Sequence, residues 1–184
     1  MSSSVVSLQG VILFTPRTFS DYRGYFRETY TQKVFDTQVG KKNEFVQDNE
    51  SLSLEACTIR GLHFQRHPHA QAKLVRVASG AIFDVAVDIR RDSPTYGRWV
   101  GYELSAENGH QLFVPVGFAH GFCTLVDNTV VCYKVTDYYS PECDGGILWN
   151  DPAIGVEWPL SGRKPVLSDK DAALPLLSDL GMVF

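Results

Sequence analysis

Arg60-Gly-Leu-His63-Phe-Gln-Arg66-His67-Pro-His69-Ala-Gln-Ala-Lys73-Leu-Val75-Arg76-Val77-Ala-Ser-Gly80 concentrates the chemistry of this chain. It holds three of the five histidines, together with Lys73 and arginines at 60, 66 and 76. From Lys73 to Val77 the residues alternate as on a β-strand. That alternation puts Lys73, Val75 and Val77 on one face and Leu74, Arg76 and Ala78 on the other. Burying an unpaired ammonium beside valines is costly, so Lys73 needs a functional reason to be there.

Outward from this segment the chain reads as strands. Val11–Phe14 precedes Pro16, and Phe19–Tyr30 folds back at Gly24. Thr31 opens a short helix through about Gln38, closed by Gly40. Gln47 and Asn49, two apart, share a strand face. Ile82–Ile89, Trp99–Leu104, Gln111–Val114 and Phe122–Tyr138 follow, the last with a hairpin turn at Asp127-Asn128. The Pro-rich tail contains Ser168-Asp-Lys-Asp171, which has the spacing of a helix cap. Many short strands with little helix predict an all-β jelly roll in one domain over residues 1–184, its few short helices mainly peripheral and C-terminal.

The bulk numbers narrow the function. The chain of 184 residues is 44% hydrophobic and 21% charged, the balance of a soluble globular protein. Its net charge of -4 argues against general nucleic-acid binding. It contains no apolar run of membrane-spanning length and no signal peptide, so a cytoplasmic protein without membrane partners is expected. Cys57, Cys123, Cys132 and Cys143 lack a C-x-x-C spacing, and free thiols are expected even for Cys123 and Cys132 across their predicted hairpin.

Two spaced motifs resemble those of the cupin superfamily of small β-barrels. Gly61, His67, His69, Lys73 and Gly80 match the first, with Lys where a metal-binding cupin has Glu. Gly109, Pro115, Gly117, His120 and Thr124 match the second, with Thr in place of Asn. An ammonium has no lone pair and repels a dication, so no metal is expected, although His67, His69 and His120 could in principle form a three-histidine zinc set.

A denser resemblance covers nearly the whole chain. Arg60-Gly-Leu-His-Phe-Gln, Gln71-Ala-Lys-Leu-Val-Arg-Val, Pro115-Val-Gly-Phe-Ala-His-Gly-Phe, Tyr133-Lys-Val-Thr-Asp-Tyr-Tyr and Trp149-Asn-Asp-Pro look like the dTDP-4-dehydrorhamnose 3,5-epimerase family. The resemblance implies a cupin-type barrel and a cofactor-free epimerase that inverts C3 and C5 of a dTDP-linked 4-keto-6-deoxyhexose. It also implies the roles of the residues. His63 is the base, Lys73 holds the enolate oxygen, and Tyr133 is the proton donor. Asp171 orients His63, with Asp84 in reserve for that task. Arg60, Arg23 and Lys170 lie near phosphate, Glu28 and Gln47-Asp48-Asn49 contact base or sugar, and Phe19, Phe26 and Tyr138 stack. His120 points toward the substrate. Asp144 stands where the family often has Glu, which puts that contact in question.

The family is dimeric, so Arg23 and Glu28 are expected in the partner's site, carried there by N-terminal strands. Two other readings stay open at this point. One is a relative that inverts a single carbon or serves another deoxysugar pathway. The other is a metal-dependent or non-catalytic cupin.

Overall fold

The computed structural model describes residues 8–181 and 183–184. The chain forms β1 (Ile12–Phe14), β2 (Thr18–Asp21), β3 (Gly24–Arg27), α1 (Gln32–Val39), β4 (Gln47–Ser53), β5 (Ile59–Gln65) and β6 (Lys73–Ser79). It continues with β7 (Ala81–Asp88), β8 (Trp99–Ser105), β9 (Gln111–Val114), β10 (Phe118–Thr124), β11 (Thr129–Val135), β12 (Asp144–Gly146) and α2 (Asp169–Ala172), followed by a 3₁₀ turn at Leu177–Asp179.

Two five-stranded antiparallel sheets face each other, ordered β1-β9-β6-β11-β4 and β12-β5-β10-β7-β8, while β2 and β3 form a separate hairpin. This is the expected cupin-type jelly roll. Val75, Val77, Leu112 and Val131 of the first sheet pack against Ile82, Ala86, Leu104 and Phe122 of the second. The outer faces are covered too. The helix α1 seals the first sheet through Phe35 on Leu74 and Phe113. The C-terminal segment seals the second, setting Ile154, Trp158 and Phe184 over Leu62, Phe64 and Val85.

The local expectations meet two corrections. Asp127-Asn128 does make the turn, with Asn128 at φ 54°. The strands it joins, however, lie in opposite sheets, since β10 pairs with β5 and β7 whereas β11 pairs with β4 and β6. The turn is therefore a crossing between sheets rather than a hairpin, and Cys123 and Cys132 sit in different sheets as free thiols. Thr31 takes the extended N-cap conformation without a side-chain cap, and Gly40 ends the helix at φ 75°.

One irregularity decides what enters the barrel. On β10, His120 pairs with His63 and Phe122 with Arg60, so two steps on β10 span three on β5. The extra residue on β5 is a bulge, and it turns Arg60 and His63 to the same inner face although simple alternation would oppose them. Gly61 sits in this bulge at φ 124°, and a Cβ there would lie 2.5 Å from the Cα of Gly121. Only glycine fits such a conformation and approach.

Candidate active site

The strand faces that carry valines at one end of the barrel carry polar groups at the other. Val135 pairs with Lys73 and with Gln47, and Tyr133 pairs with Val75 and with Asn49. Paired residues share a face, so Lys73, Tyr133, Gln47 and Asn49 all project inward. Opposite them, β5 contributes His63 and Gln65. Together they line a cavity of about 240 Å³ whose mouth is framed by Tyr139, Asp144 and Lys170.

His63 is held from outside the sheets. Its Nε2 lies 2.5 Å from Oδ1 of Asp171 at the end of the chain. Ser168 caps α2 by accepting the amide of Asp171 at 3.1 Å, and its hydroxyl donates to Asp171 Oδ2 at 2.9 Å. The cap and the carboxylate–imidazole pair are thus one arrangement. Burial pushes the Asp171 carboxyl up, but the bonds and charge from His63 and the Ser168 hydroxyl hold it below its ordinary value. Asp171 is therefore an anion that orients the imidazole ring through Nε2 and turns Nδ1 away from the carboxylate.

Asp84 serves a different histidine. Its Oδ1 lies 2.7 Å from His120 Nε2 on the neighbouring strand, and both side chains are buried. Among the described residues, Asp84 Oδ2 is buried without a hydrogen-bond partner. The cation next to this negative charge is Lys73. Burial lowers the Lys73 pKa to about 8, while Asp84 and Asp144 pull it back up. Tyr133 is pushed above its ordinary value by burial, opposed by the charge of Arg60. Arg60 itself reaches across the barrel, donating to Ser53 Oγ at 3.1 Å and to the Leu52 carbonyl at 3.1 Å.

Several expected positions fall elsewhere. Asp48 lies between Gln47 and Asn49, so alternation sends it to the outer face, where Lys134 Nζ donates to it at 2.6 Å. Tyr138 is exposed outside the cavity, and of the two adjacent tyrosines it is Tyr139 that lines it. Arg23 pairs with Asp21 at the tip of the hairpin. Phe19, Phe26 and Glu28 line a separate cavity of about 550 Å³ between hairpin and α1. None of these four is among the residues around His63 in this chain. Lys170 and Asp144 form an ion pair at the cavity mouth.

The three histidines of the zinc alternative do not converge. His67 meets Phe184 edge-to-face, His69 Nδ1 is 3.3 Å from Asp137, and His120 faces Asp84. His67-Pro-His69 lies beyond the end of β5, in a turn outside the barrel. Among the described residues no cluster of three His, Cys, Asp or Glu side chains could hold a metal ion.

The sequence reading missed Gln65, Gln71 and Tyr139 as cavity residues. Strand alternation carried the signal for Gln65, which is two beyond His63 on β5, whereas Gln71 precedes β6 and has no strand period. Tyr139 offered none, because the adjacent tyrosines sit in a loop without a fixed period.

The chain is similar to known proteins along nearly its whole length. A family model described as dTDP-4-dehydrorhamnose 3,5-epimerase matches residues 5–179. The dTDP-4-dehydrorhamnose 3,5-epimerase of Salmonella typhimurium is 56% identical over 171 residues, covering 93% of this chain and 92% of the relative. The crystal structure of the Bacillus anthracis enzyme of that name, with TDP and PPi bound, is 55% identical with a TM-score of 0.88, covering 94% of this chain and 98% of that one. A Legionella pneumophila epimerase in complex with dTDP-4-keto-L-rhamnose is 44% identical with a TM-score of 0.91, covering 96% and 92%.

Proposed function

This chain belongs to the dTDP-4-dehydrorhamnose 3,5-epimerase family, and we propose that it carries out that epimerisation by proton transfers between His63 and Tyr133. It is an isomerase that inverts C3 and C5 of dTDP-4-dehydro-6-deoxyglucose to give dTDP-4-dehydro-L-rhamnose. The observation that carries the mechanism is that His63 and Tyr133 line one cavity from opposite sheets, with Lys73 lining it from the strand paired with that of Tyr133.

The C4 ketone acidifies the hydrogens on C3 and C5. His63, oriented by Asp171, removes one of these protons, and the electron pair moves onto the C4 oxygen as an enolate. Lys73 supplies the cation that holds this oxygen. Tyr133 returns a proton from the other face, so configuration inverts. The phenolate left behind is disfavoured by burial and favoured by Arg60, and exchange with solvent resets both groups before the second carbon reacts.

The mouth suits the dTDP portion. Lys170 at the mouth and Arg60, which acts on Tyr133 but is not among the cavity-lining residues, are cations for diphosphate, Tyr139 offers a flat face for thymine, and Gln47 and Asn49 offer amides to base or sugar. The exposed hairpin, with Phe19, Tyr22, Tyr25 and Phe26 uncovered, is the segment that a second copy would cover. A homodimer in which this hairpin brings Arg23 and Glu28 to the partner's cavity accounts for their distance from His63 in one chain.

The test uses chelator-treated protein with dTDP-4-dehydro-6-deoxyglucose in deuterated water. Label at C3 and C5 is the expected result. Label at a single carbon would select a monoepimerase, and exchange that appears only after adding metal would overturn the side-chain mechanism.

A further inference from the structure

Next to His63 on the inner face of β5 stands Gln65, buried to 4% exposure, and its side-chain amide makes three hydrogen bonds to loop backbone. Its Nε2 donates to the Tyr138 carbonyl at 3.1 Å and to the His69 carbonyl at 2.6 Å. Its Oε1 accepts the Ser140 amide at 2.9 Å. The Tyr138 carbonyl and the Ser140 amide belong to the two peptide units that flank Tyr139. The side chain of Gln65 therefore grips the backbone on both sides of Tyr139, as a neighbouring strand would, in a loop with no strand of its own. Its third bond ties this grip to the turn after β5, and Gln71 adds a parallel tie by donating to the Asp137 carbonyl at 2.7 Å.

We propose that Gln65 is a positioning residue for substrate recognition: it fixes Tyr139 at the mouth of the cavity and so sets the affinity for the nucleotide portion without taking part in proton transfer. A tyrosine that is 59% exposed has little packing of its own to hold its ring in one place. An unanchored ring would have to be ordered at each binding event, which weakens affinity. Gln65 lies two residues from His63 but directs its polar atoms away from it, to the loop. The proposal rests on the reading of the cavity as a dTDP-sugar site.

The experiment compares the full-length wild type with Gln65→Leu, Gln65→Glu and Tyr139→Ala, and with the Gln65→Leu/Tyr139→Ala double variant. TDP affinity is measured by calorimetry, turnover by steady-state kinetics, and the Ser140 amide by hydrogen exchange. Gln65→Leu should raise the TDP Kd and the KM about tenfold, the equivalent of one lost buried hydrogen bond, with kcat and its pH profile nearly unchanged. The Ser140 amide should exchange faster. Because the effect acts through Tyr139, the double variant should bind TDP no more weakly than Tyr139→Ala alone.

Additive losses in the double variant, an unchanged TDP Kd, or a fall in kcat at constant KM would each overturn the proposal. Should Gln65→Leu not fold, Gln65→Glu decides. It keeps the acceptor for Ser140 but turns a carboxylate on two carbonyls, and it must weaken TDP binding at least as much. Wild-type protein that binds TDP without turning over the sugar would refute the epimerase reading while leaving the Gln65–Tyr139 coupling to be judged on TDP alone. Protein that binds no TDP would refute both.

Discussion

His63 and Asp171 are 108 residues apart in the chain, and their side chains meet at 2.5 Å. The pair joins a barrel strand to a single helical turn near the C-terminus, so the ring orientation of the base depends on how that turn is seated. Asp171→Asn keeps the shape but leaves an amide that can offer either its oxygen or its NH₂ to the ring. It should lower kcat by on the order of 10²–10³-fold with KM changed little. Asp84→Asn should leave the deprotonation step less affected, because its carboxylate holds His120 instead. Steady-state kinetics of the two variants checks the assignment, and equal losses would contradict it.

Lys73 should give the reaction an alkaline limit. Its ammonium, held at about pH 8 by burial, must be charged to stabilise an enolate. Activity should therefore fall as pH rises through about 8, in a profile of kcat/KM against pH. In Lys73→Arg, whose charge persists, that limb should move upward even if the rate is low.

The same lysine should cost stability. Its folded value of about 8 lies below the ordinary 10.5, so between those values the unfolded chain binds more protons and stability rises with pH. Below about pH 8 both states are charged and the whole cost is present. Lys73→Met should thus stabilise the protein at pH 7 by on the order of 1–3 kcal/mol, less near pH 10, while abolishing turnover. Denaturant unfolding at the two pH values measures it, and a destabilised Lys73→Met at pH 7 would refute it.

How far these residues could be read from sequence depends on periodicity. Lys73, Tyr133, Gln47 and Asn49 sit on regular strands, where the two-residue repeat places each on a face. The same repeat moves Asp48 outward, and only an argument that named all three positions together could have included it. Arg60 and His63 break the repeat, and the bulge that reconciles them is fixed by the contact of Gly61 with Gly121, a tertiary event with no local signature. Tyr139 and Tyr138 lie in a loop that has no period to tell them apart, and the backbone around Tyr139 is held by Gln65 from β5. The joining of Asp127-Asn128 to opposite sheets is likewise a matter of which strands pair, which turn residues do not specify.

Tyr133 and His63 should separate exchange from inversion. If His63 only removes protons and Tyr133 only returns them on the opposite face, Tyr133→Phe should still exchange deuterium into the substrate while forming little inverted product. His63→Ala should do neither. Proton resonance of the sugar ring in deuterated water resolves both outcomes. Full inversion by Tyr133→Phe would remove Tyr133 from its role.

Gly61 ties the fold to the site, and its substitution tests that link. A methyl group there would meet the Gly121 backbone at 2.5 Å, at a φ of 124° that side chains rarely adopt. Neither obstacle is the end of a flexible side chain, so relief requires β5 and β10 to part. Gly61→Ala should destabilise the protein by roughly 2–4 kcal/mol. Because the bulge is what turns Arg60 and His63 to one face, the folded fraction should also lose activity well beyond the loss in stability. Gly145→Ala provides the contrast: its new methyl would meet the Phe64 ring at 2.8 Å, and its backbone is not in the left-handed region. It should destabilise less and leave the folded fraction active. Thermal melts paired with rates per folded molecule distinguish the two, and a fully active, stable Gly61→Ala would show that the bulge does not set the geometry of the base.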